Sequence, residues 1–434
     1  MFDRCFRGWA VAYELPAGAI YPAGFDLDEV SYPPTFVREF AQLNYGKALQ
    51  ERVRRPGAVP VYGTNGQCGW HDTPLAKPPG VILGRKGQGH LGVKWCEKPF
   101  WVIDTAYYAS LDQEQADPRW FYYITKFVGL DELKTGEKPG LNRDTFLSQV
   151  FPLPTVEEQR DIVEVLTALD DKIELNSQIN HTLEEMASAL FKSWFVDFDP
   201  VVAKADGRAP FGLDPRTAAL FPSTFQVDPH WGDIPTGWKT MPLDAVANFK
   251  NGLALQKYRP DVGAPRLPVI KIAQLRTGQP GTKEWARADI NPACVLGNGD
   301  IVFSWSGSLT VVVWCGGPGA LNQHLFKVTS ARFPKWFYHQ WTLHHLPEFQ
   351  AIAADKATTM GHIRRYHLTE ARCVVPPDPV IEAAGTQLEA WMDLFIHNEL
   401  ESQTLASLRD ALLPKLLSGD LRPKQAALAV EAVL

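Results

Sequence analysis

The sequence predicts a mixed α/β (α+β) fold in which two globular units are separated by two long antiparallel helices forming an intramolecular coiled coil, with a pseudo-twofold internal repeat. Three observations predict it. The stretch from Leu153 through Phe195 carries apolar residues at coiled-coil spacing. The same pattern returns 222 positions later. The sequence ahead of each copy has the texture of short strands and glycine-rich loops.

Composition bounds the answer before any motif does. A chain of 434 residues with 45% hydrophobic and 11% aromatic content can bury sizeable cores in two to four domains. No apolar run approaches the ~20 residues of a transmembrane helix, and the N-terminus lacks a signal-peptide apolar core. The six cysteines are scattered with no C-x-x-C pair, which argues against a disulfide framework or zinc site and fits a reducing cytoplasm. The net charge of −6 excludes a generally basic nucleic-acid binder, so any such binding must use local basic patches.

Residues 1–36 hold six of the prolines and glycines that break periodicity (Pro16, Gly18, Pro22, Gly24, Pro33 and Pro34) and are expected to be an irregular N-terminal extension. Residues 37–153 form the first globular unit. Val59-Pro-Val-Tyr, Val81-Ile-Leu and Phe100-Trp-Val-Ile are short apolar runs bounded by glycine or proline, which predicts strands. Trp120-Phe-Tyr-Tyr-Ile-Thr-Lys-Phe predicts a helical or buried segment. Two glycine-rich loops, Gly63-Thr-Asn-Gly-Gln-Cys-Gly and Gly84-Arg-Lys-Gly-Gln-Gly-His-Leu-Gly, let the backbone approach a ligand closely. Tyr62, Asn65, Arg85, Lys86 and Lys94 lie on or beside them and are candidate contacts to phosphates or bases; a solvated turn is the competing reading for each. Gly87-Gln-Gly-His-Leu-Gly also matches a dinucleotide fingerprint, but that motif must open a helix, and Val93-Lys-Trp continues toward a strand.

Residues 154–198 form the first long helix. Ile162, Leu166, Leu169, Ile173, Leu183, Leu190 and Trp194 step by four and three, with Asn176 and Asn180 in the same seam. At about 1.5 Å per residue the helix runs roughly 55–60 Å and needs a partner to cover its seam.

That partner lies in the same chain. A shift of 222 positions places Pro154 on Pro376, Asp171 on Asp393, Asn176 on Asn398, Thr182 on Thr404, Leu183 on Leu405 and Leu190 on Leu412, without a gap. The seam transfers as Leu166/Leu388, Leu169/Trp391 and Ile173/Phe395, and Arg143 falls on Arg365. Upstream the offset drifts, but Gly46-Lys-Ala-Leu still matches Gly252-Leu-Ala-Leu, Pro60-Val-Tyr matches Pro268-Val-Ile, and Gly80-Val-Ile-Leu-Gly-Arg-Lys-Gly matches Gly299-Asp-Ile-Val-Phe-Ser-Trp-Ser-Gly. Four matched blocks in one order indicate a duplication. The two helices can then lie antiparallel and bury each other's seams, with the asparagines costing stability but fixing register. Two separate helical bundles are the alternative.

Residues 199–233, dense in glycine and proline, read as a connector. Residues 234–377 form the second globular unit, with Lys271, Trp305, Ser306, Ser308, Gln323, His324, Arg364 and Arg365 as candidate base or phosphate contacts. Residues 378–420 form the C-terminal long helix, stopped at Gly419, and 421–434 a tail.

There is no Walker A motif, nucleophile elbow, H-E-x-x-H, metal-spaced His/Cys cluster or amino-methyltransferase block. The acids of the first long helix spread round a solvated face, and His344-His345 reads as structural.

Several stretches resemble the specificity (S) subunit of type I restriction–modification enzymes, the HsdS family. They are Pro154-Thr-Val-Glu-Glu-Gln-Arg-Asp-Ile, Leu169-Asp-Asp-Lys-Ile-Glu-Leu-Asn, Phe191-Lys-Ser-Trp-Phe-Val-Asp-Phe-Asp-Pro-Val, Ala203-Lys-Ala-Asp-Gly, Ile234-Pro-Thr-Gly-Trp and Leu416-Leu-Ser-Gly-Asp-Leu. The resemblance covers nearly the whole chain beyond residue 36. It departs at the extension and at Pro377-Asp-Pro-Val-Ile-Glu-Ala-Ala, where the second helix begins without the Glu158-Gln159 pair of the first.

The resemblance implies that each unit is a target recognition domain reading one half of an asymmetric bipartite DNA target. It implies that the helix pair sets the spacer and docks two methyltransferase (M) subunits, and that restriction/translocase (R) subunits complete the complex. It implies no catalysis and no cofactor in this chain, the partners using S-adenosylmethionine, ATP and Mg. The expected partners are therefore double-stranded DNA and those subunits, in the cytoplasm and with no membrane. Two other functions stay open: a stand-alone duplicated nucleic-acid-binding or scaffold protein without a methyltransferase, and an enzyme using the loop at 84–92.

Overall fold

The structure, a computed structural model, describes Phe25 and residues 30–87, 89–135, 140–355 and 361–434. Most of the expected N-terminal extension, and Gln88 of the second glycine-rich loop, lie outside the described residues. The chain divides into two units, one of residues 1–174 with 403–434 and one of residues 175–402.

The first unit is built on a four-stranded antiparallel sheet in the order Ala41–Tyr45, Ala106–Leu111, Gly80–Gly84, Val93–Cys96. A second sheet pairs Gly66–His71 with Val59–Gly63, and Val59–Gly63 in parallel with Trp101–Val102. The helix Pro118–Val128 covers the first sheet, its start fixed by Asp117, whose carboxylate accepts the Arg119 and Trp120 amide hydrogens. Trp120, Phe121, Tyr123 and Ile124 of that helix are buried among Phe40, Phe146 and Phe151. Pro34–Phe36, assigned to the extension from sequence, instead pairs with Val150–Pro152. That pairing spans more than a hundred residues and has no local signature.

The second unit repeats this plan. Its main sheet runs Asn248–Asn251, Leu325–Thr329, Asp300–Ser304, Thr310–Trp314. Its second sheet again contains one parallel pair, Arg266–Ile270 with Gly319–Leu321. Lys239–Pro242 with Arg372–Val375 closes it as Pro34–Phe36 with Val150–Pro152 closes the first. The matched glycines have one cause. A Cβ on Gly46 would stand 2.1 Å from the Ile103 carbonyl oxygen, and one on Gly252 2.3 Å from that of Asn322.

Residues 199–233, read from sequence as a connector, are folded. They form the helices Asp199–Ala205 and Pro215–Ala219 and most of the hairpin Phe225–Asp228 with Gly232–Pro235. Val201 and Phe221 are buried in the second unit's core, 0% and 2% exposed, so apolar content outweighs the glycine and proline signal.

The long helices are Val156–Phe195 and Asp378–Ser418. The first opens with a capping box in which Thr155 and Glu158 exchange side-chain and backbone hydrogen bonds. Within the first unit Ile162, Leu166 and Leu169 bury against Leu405, Leu412 and Leu416, with Ile173 packed on the same cluster. Arg409 pairs with Asp170 at 2.7 Å, and Arg422 with Glu158 at 2.9 Å. Within the second unit Phe191, Trp194 and Phe195 bury with Val380, Ile381, Ala384 and Leu388, joined by Leu190 and Trp391. Rising numbers on one helix meet falling numbers on the other, so each unit contains an antiparallel helix pair.

The seam asparagines form a polar layer inside the second unit. The Asn176 amide donates to Glu401 at 2.7 Å and Ser402 at 3.2 Å. The Asn180 amide donates to Glu399 at 2.9 Å and to the Phe395 carbonyl at 3.2 Å. The Asn398 amide donates to Asn180 Oδ1 at 2.9 Å. All three asparagines are buried.

Gln159 explains one stretch of the resemblance and its departure. Fully buried, it accepts the Asp117 amide hydrogen at 2.7 Å and donates to the Gln115 and Pro154 carbonyls at 2.8 and 2.9 Å. It thereby ties the start of the helix Pro118–Val128 to the long helix. The repeat places Ile381 at the matching position, and Ile381 is buried in the second core with no such polar duty. Among the described residues no helix is long and apolar enough to cross a membrane.

Candidate nucleic-acid interface

In each unit the candidate residues converge because three loops meet at the end of one central strand. In the first unit the chain leaves Gly80–Gly84 at Arg85. The Arg85 amide donates to the Thr105 carbonyl at 2.9 Å, and the Arg85 carbonyl accepts the Leu141 amide hydrogen at 2.8 Å. Thr64 locks the junction, its hydroxyl 2.6 Å from the Lys86 carbonyl and 3.0 Å from that of Thr105. In the second unit the Trp305 amide donates to the His324 carbonyl at 3.4 Å, and the Trp305 carbonyl accepts from Ile363 at 3.1 Å. Lys86 bridges to Gly140 as Ser306 bridges to His362.

This junction brings Asn65, Arg85, Lys86 and Lys94 together. The Arg85 guanidinium lies over Tyr45 and Tyr107, 4.7 and 5.4 Å from their ring centroids, and donates to the Asp104 carbonyl at 3.1 Å. Lys86 pairs with the Asp104 carboxylate at 3.1 Å on the surface. Lys94 runs beside the 64–66 turn, since a Cβ on Gly66 would meet its Cε at 3.0 Å. Tyr62 is turned inward instead. Its ring packs edge-on against Phe100 at 6.4 Å, and burial, with a hydrogen bond to Cys96, raises its pKa.

The loop at 84–92 is anchored by Asp131, which accepts the Leu91 amide hydrogen at 2.9 Å and pairs with Lys134 at 2.6 Å and with His90. Desolvation alone would raise its pKa, but these partners outweigh it and hold the carboxyl at about 2. The residues after the glycines form the strand Val93–Cys96, so no helix opens at the G-x-G-x-x-G run.

In the second unit Lys271, Gln323 and His324 line a groove of about 760 Å³ together with Arg259, Arg266 and Lys283. Ser306 and Trp305 sit behind it. Ser306 is buried, its hydroxyl 3.0 Å from His324 Nδ1, and the Trp305 ring lies 5.9 Å from the His324 ring. They orient His324 rather than present themselves. Ser308 pairs with Arg276. Arg364 starts the helix Arg365–Glu370, its amide donating to His367 at 2.9 Å. Arg365 lies over Phe326 and donates to the Phe249 carbonyl at 3.2 Å. These last three do not line the groove.

Sequence reasoning missed Tyr45, Asp104, Arg259, Arg266 and Lys283. Asp104 has a signal in the paired parallel strands, which bring it and Gln323 to matching places after Trp101–Val102 and Gly319–Leu321. Chemically the two sites differ. Asp104 can accept from a cytosine amino group, whereas Gln323 can both donate to and accept from adenine. The basic residues suit guanine edges and phosphates. Elsewhere His345 Nε2 donates to the Arg372 carbonyl at 2.9 Å, and burial lowers the pKa of both His344 and His345. Among the described residues no group of three or more His, Cys, Asp or Glu could hold a metal ion.

Comparison with known proteins follows this geometry. Residues 36–185 match the family described as the type I restriction modification DNA specificity domain. The chain is 25% identical over 339 residues to the type I restriction enzyme HindI specificity subunit of Haemophilus influenzae, covering 68% of this chain and 74% of that one. Residues 36–185 therefore carry the mark of that family's domain, and the similarity to whole specificity subunits extends over about two thirds of the chain. The MjaIX specificity subunit of Methanocaldococcus jannaschii is likewise 25% identical, over 322 residues, covering 70% of this chain and 69% of its own. A crystal structure of the type I S subunit from M. genitalium shares the fold, with a TM-score of 0.56 at 15% identity over 92% of this chain and 99% of that one. Within each unit the long helices pack as an antiparallel coiled-coil pair, in keeping with that shared fold.

Proposed function

We propose that this chain is a type I specificity subunit and that each of its units reads one half of a split, asymmetric double-stranded DNA target. The observation that carries this reading is one loop junction built twice with different side chains. Asp104 and Thr105 stand in the first unit where Gln323 and His324 stand in the second. The same scaffold with different hydrogen-bonding groups reads different bases. The helix pair sets the gap between the halves and docks two methyltransferase subunits, to which restriction/translocase subunits add. The chain performs no catalysis. Adenine methylation with S-adenosylmethionine, and ATP- and Mg-dependent translocation, belong to those partners in the cytoplasm.

Co-expression with its methyltransferase subunit, followed by single-molecule sequencing of methylated DNA, tests this. The expected motif has two unlike half-sites flanking a fixed gap, and the two proteins copurify. A continuous motif, or a specificity subunit that purifies alone and binds DNA without directing methylation, contradicts the proposal. The second result would favour a stand-alone nucleic-acid-binding protein.

A further inference from the structure

We infer that Trp70 and Trp285 are a duplicated pair of sequence-independent DNA contacts, one for each half-site. The inference rests on the half-site reading above.

The two tryptophans occupy one register. In the first unit Pro60 stands opposite Trp70 across the antiparallel pair. In the second Pro268 stands opposite Trp285. The parallel strands fix the correspondence independently: Val61, one residue after Pro60, pairs with Trp101, and Val269, one after Pro268, pairs with Ala320. Trp70 is 51% exposed, and Trp285 lines the basic groove. A lone exposed apolar side chain needs no explanation. The same ring in the same register of two units does, because the candidate reading positions of those two units differ: Asp104 against Gln323, and Thr105 against His324.

That contrast assigns the role. Two different half-sites share no base sequence, so a feature common to both readers must serve what every DNA sequence offers. An indole offers a flat apolar face that can lie along the deoxyriboses of any duplex. Trp285 has a cation on its ring, and Trp70 has one against the two strand residues before it. The Arg266 guanidinium lies 4.3 Å from the Trp285 ring centroid, with Arg259 and Lys283 in the same groove. In the first unit Arg54 donates to the Cys68 carbonyl at 2.6 Å and lies against Gly69, next to Trp70. Cations at these places neutralise phosphates and add affinity without sequence information.

The test uses the full chain in complex with its methyltransferase subunits. Binding is measured by fluorescence anisotropy on a duplex carrying the methylated motif and on one with both half-sites scrambled. Trp285→Ala and Trp70→Ala are each expected to weaken binding to both duplexes by the same factor, roughly tenfold, with the methylated motif unchanged. Trp285→Phe and Trp70→Phe keep an aromatic face and should restore most of the loss. Thermal unfolding of each variant identifies any that misfold, and for those the Phe variants decide. Affinities within about twofold of wild type, a loss that tracks only a fall in Tm, or a motif relaxed at one base would overturn the inference. If the wild-type complex itself fails to distinguish the two duplexes, the half-site reading falls first. If it distinguishes them and the Trp variants bind as wild type does, only this inference falls.

Discussion

Adding seven residues to each long helix, after Glu174 and after Ser402, is expected to widen the gap between the methylated half-sites by about three base pairs and to leave both half-sites unchanged. Seven helical residues add roughly 10 Å, close to three steps of B-DNA at about 3.4 Å each. A heptad also keeps the seam nearly in phase, drifting only about 20°. The insertion points are level on the antiparallel pair, because Asn176 meets Ser402 at 3.2 Å. They avoid both hydrophobic clusters of the seam, the one around Leu166 and Leu405 and the one around Phe191 and Leu388. A heptad in one helix alone would put the Leu166–Leu405 packing out of register with the Asn176–Ser402 layer and is expected to abolish methylation. Sequencing of methylated DNA reads both outcomes. A gap unchanged by the double insertion, or altered half-sites, would show that the helices do not set the spacing.

Replacing Asn398 by Leu is expected to destabilise the second unit by about 1–3 kcal/mol, because it leaves the buried Asn180 oxygen without its donor. Replacing Asn176, Asn180 and Asn398 together by Leu is expected to do the opposite and raise Tm. An apolar seam no longer carries buried polar groups, and the glutamates that the amides faced, Glu399 and Glu401, are only partly buried. What the triple change loses is register, so the methylated motif should show more than one gap length. Sequence reasoning, working from Asn176 and Asn398 alone, expects that double change to stabilise. The structure adds Asn180 as the link between helices, which makes it part of any neutral replacement. Thermal unfolding with sequencing of the motif separates the two effects. A single Asn398→Leu change that stabilises, or a triple variant with one unchanged gap, would show that the polar layer acts only locally.

The helices and the duplication were legible because both are written in spacing. Leu166, Leu169, Leu405 and Leu412 repeat at intervals that only a helix turns into one stripe, and all four are buried. Matched glycines were legible too, though their reason was not. Gly46 and Gly252 are required by carbonyl oxygens more than fifty residues away. Features that depend on such distant partners escaped the sequence. Pro34–Phe36 looks irregular until Val150–Pro152 lies beside it. Residues 199–233 look like a connector until Phe221 is placed in a core. At the candidate interface the sequence supplied residue types but not directions. Arg85, Lys271, Gln323 and His324 reach the junction or the groove, whereas Tyr62 points inward and Ser306 serves His324. Gln159 shows the middle case, a residue visible within a stretch whose work, pinning Asp117, appears only in three dimensions.

The proposed division of reading between the units is tested most directly by exchanging residues 34–152, from the strand Pro34–Phe36 to the strand Val150–Pro152, for the corresponding unit of a type I specificity subunit of known target. The methylated motif of the chimaera is then sequenced beside that of the original. One half-site is expected to change while the other half-site and the gap stay as they were. A change in both half-sites, or in neither, would contradict the reading of two independent units on one helical spacer.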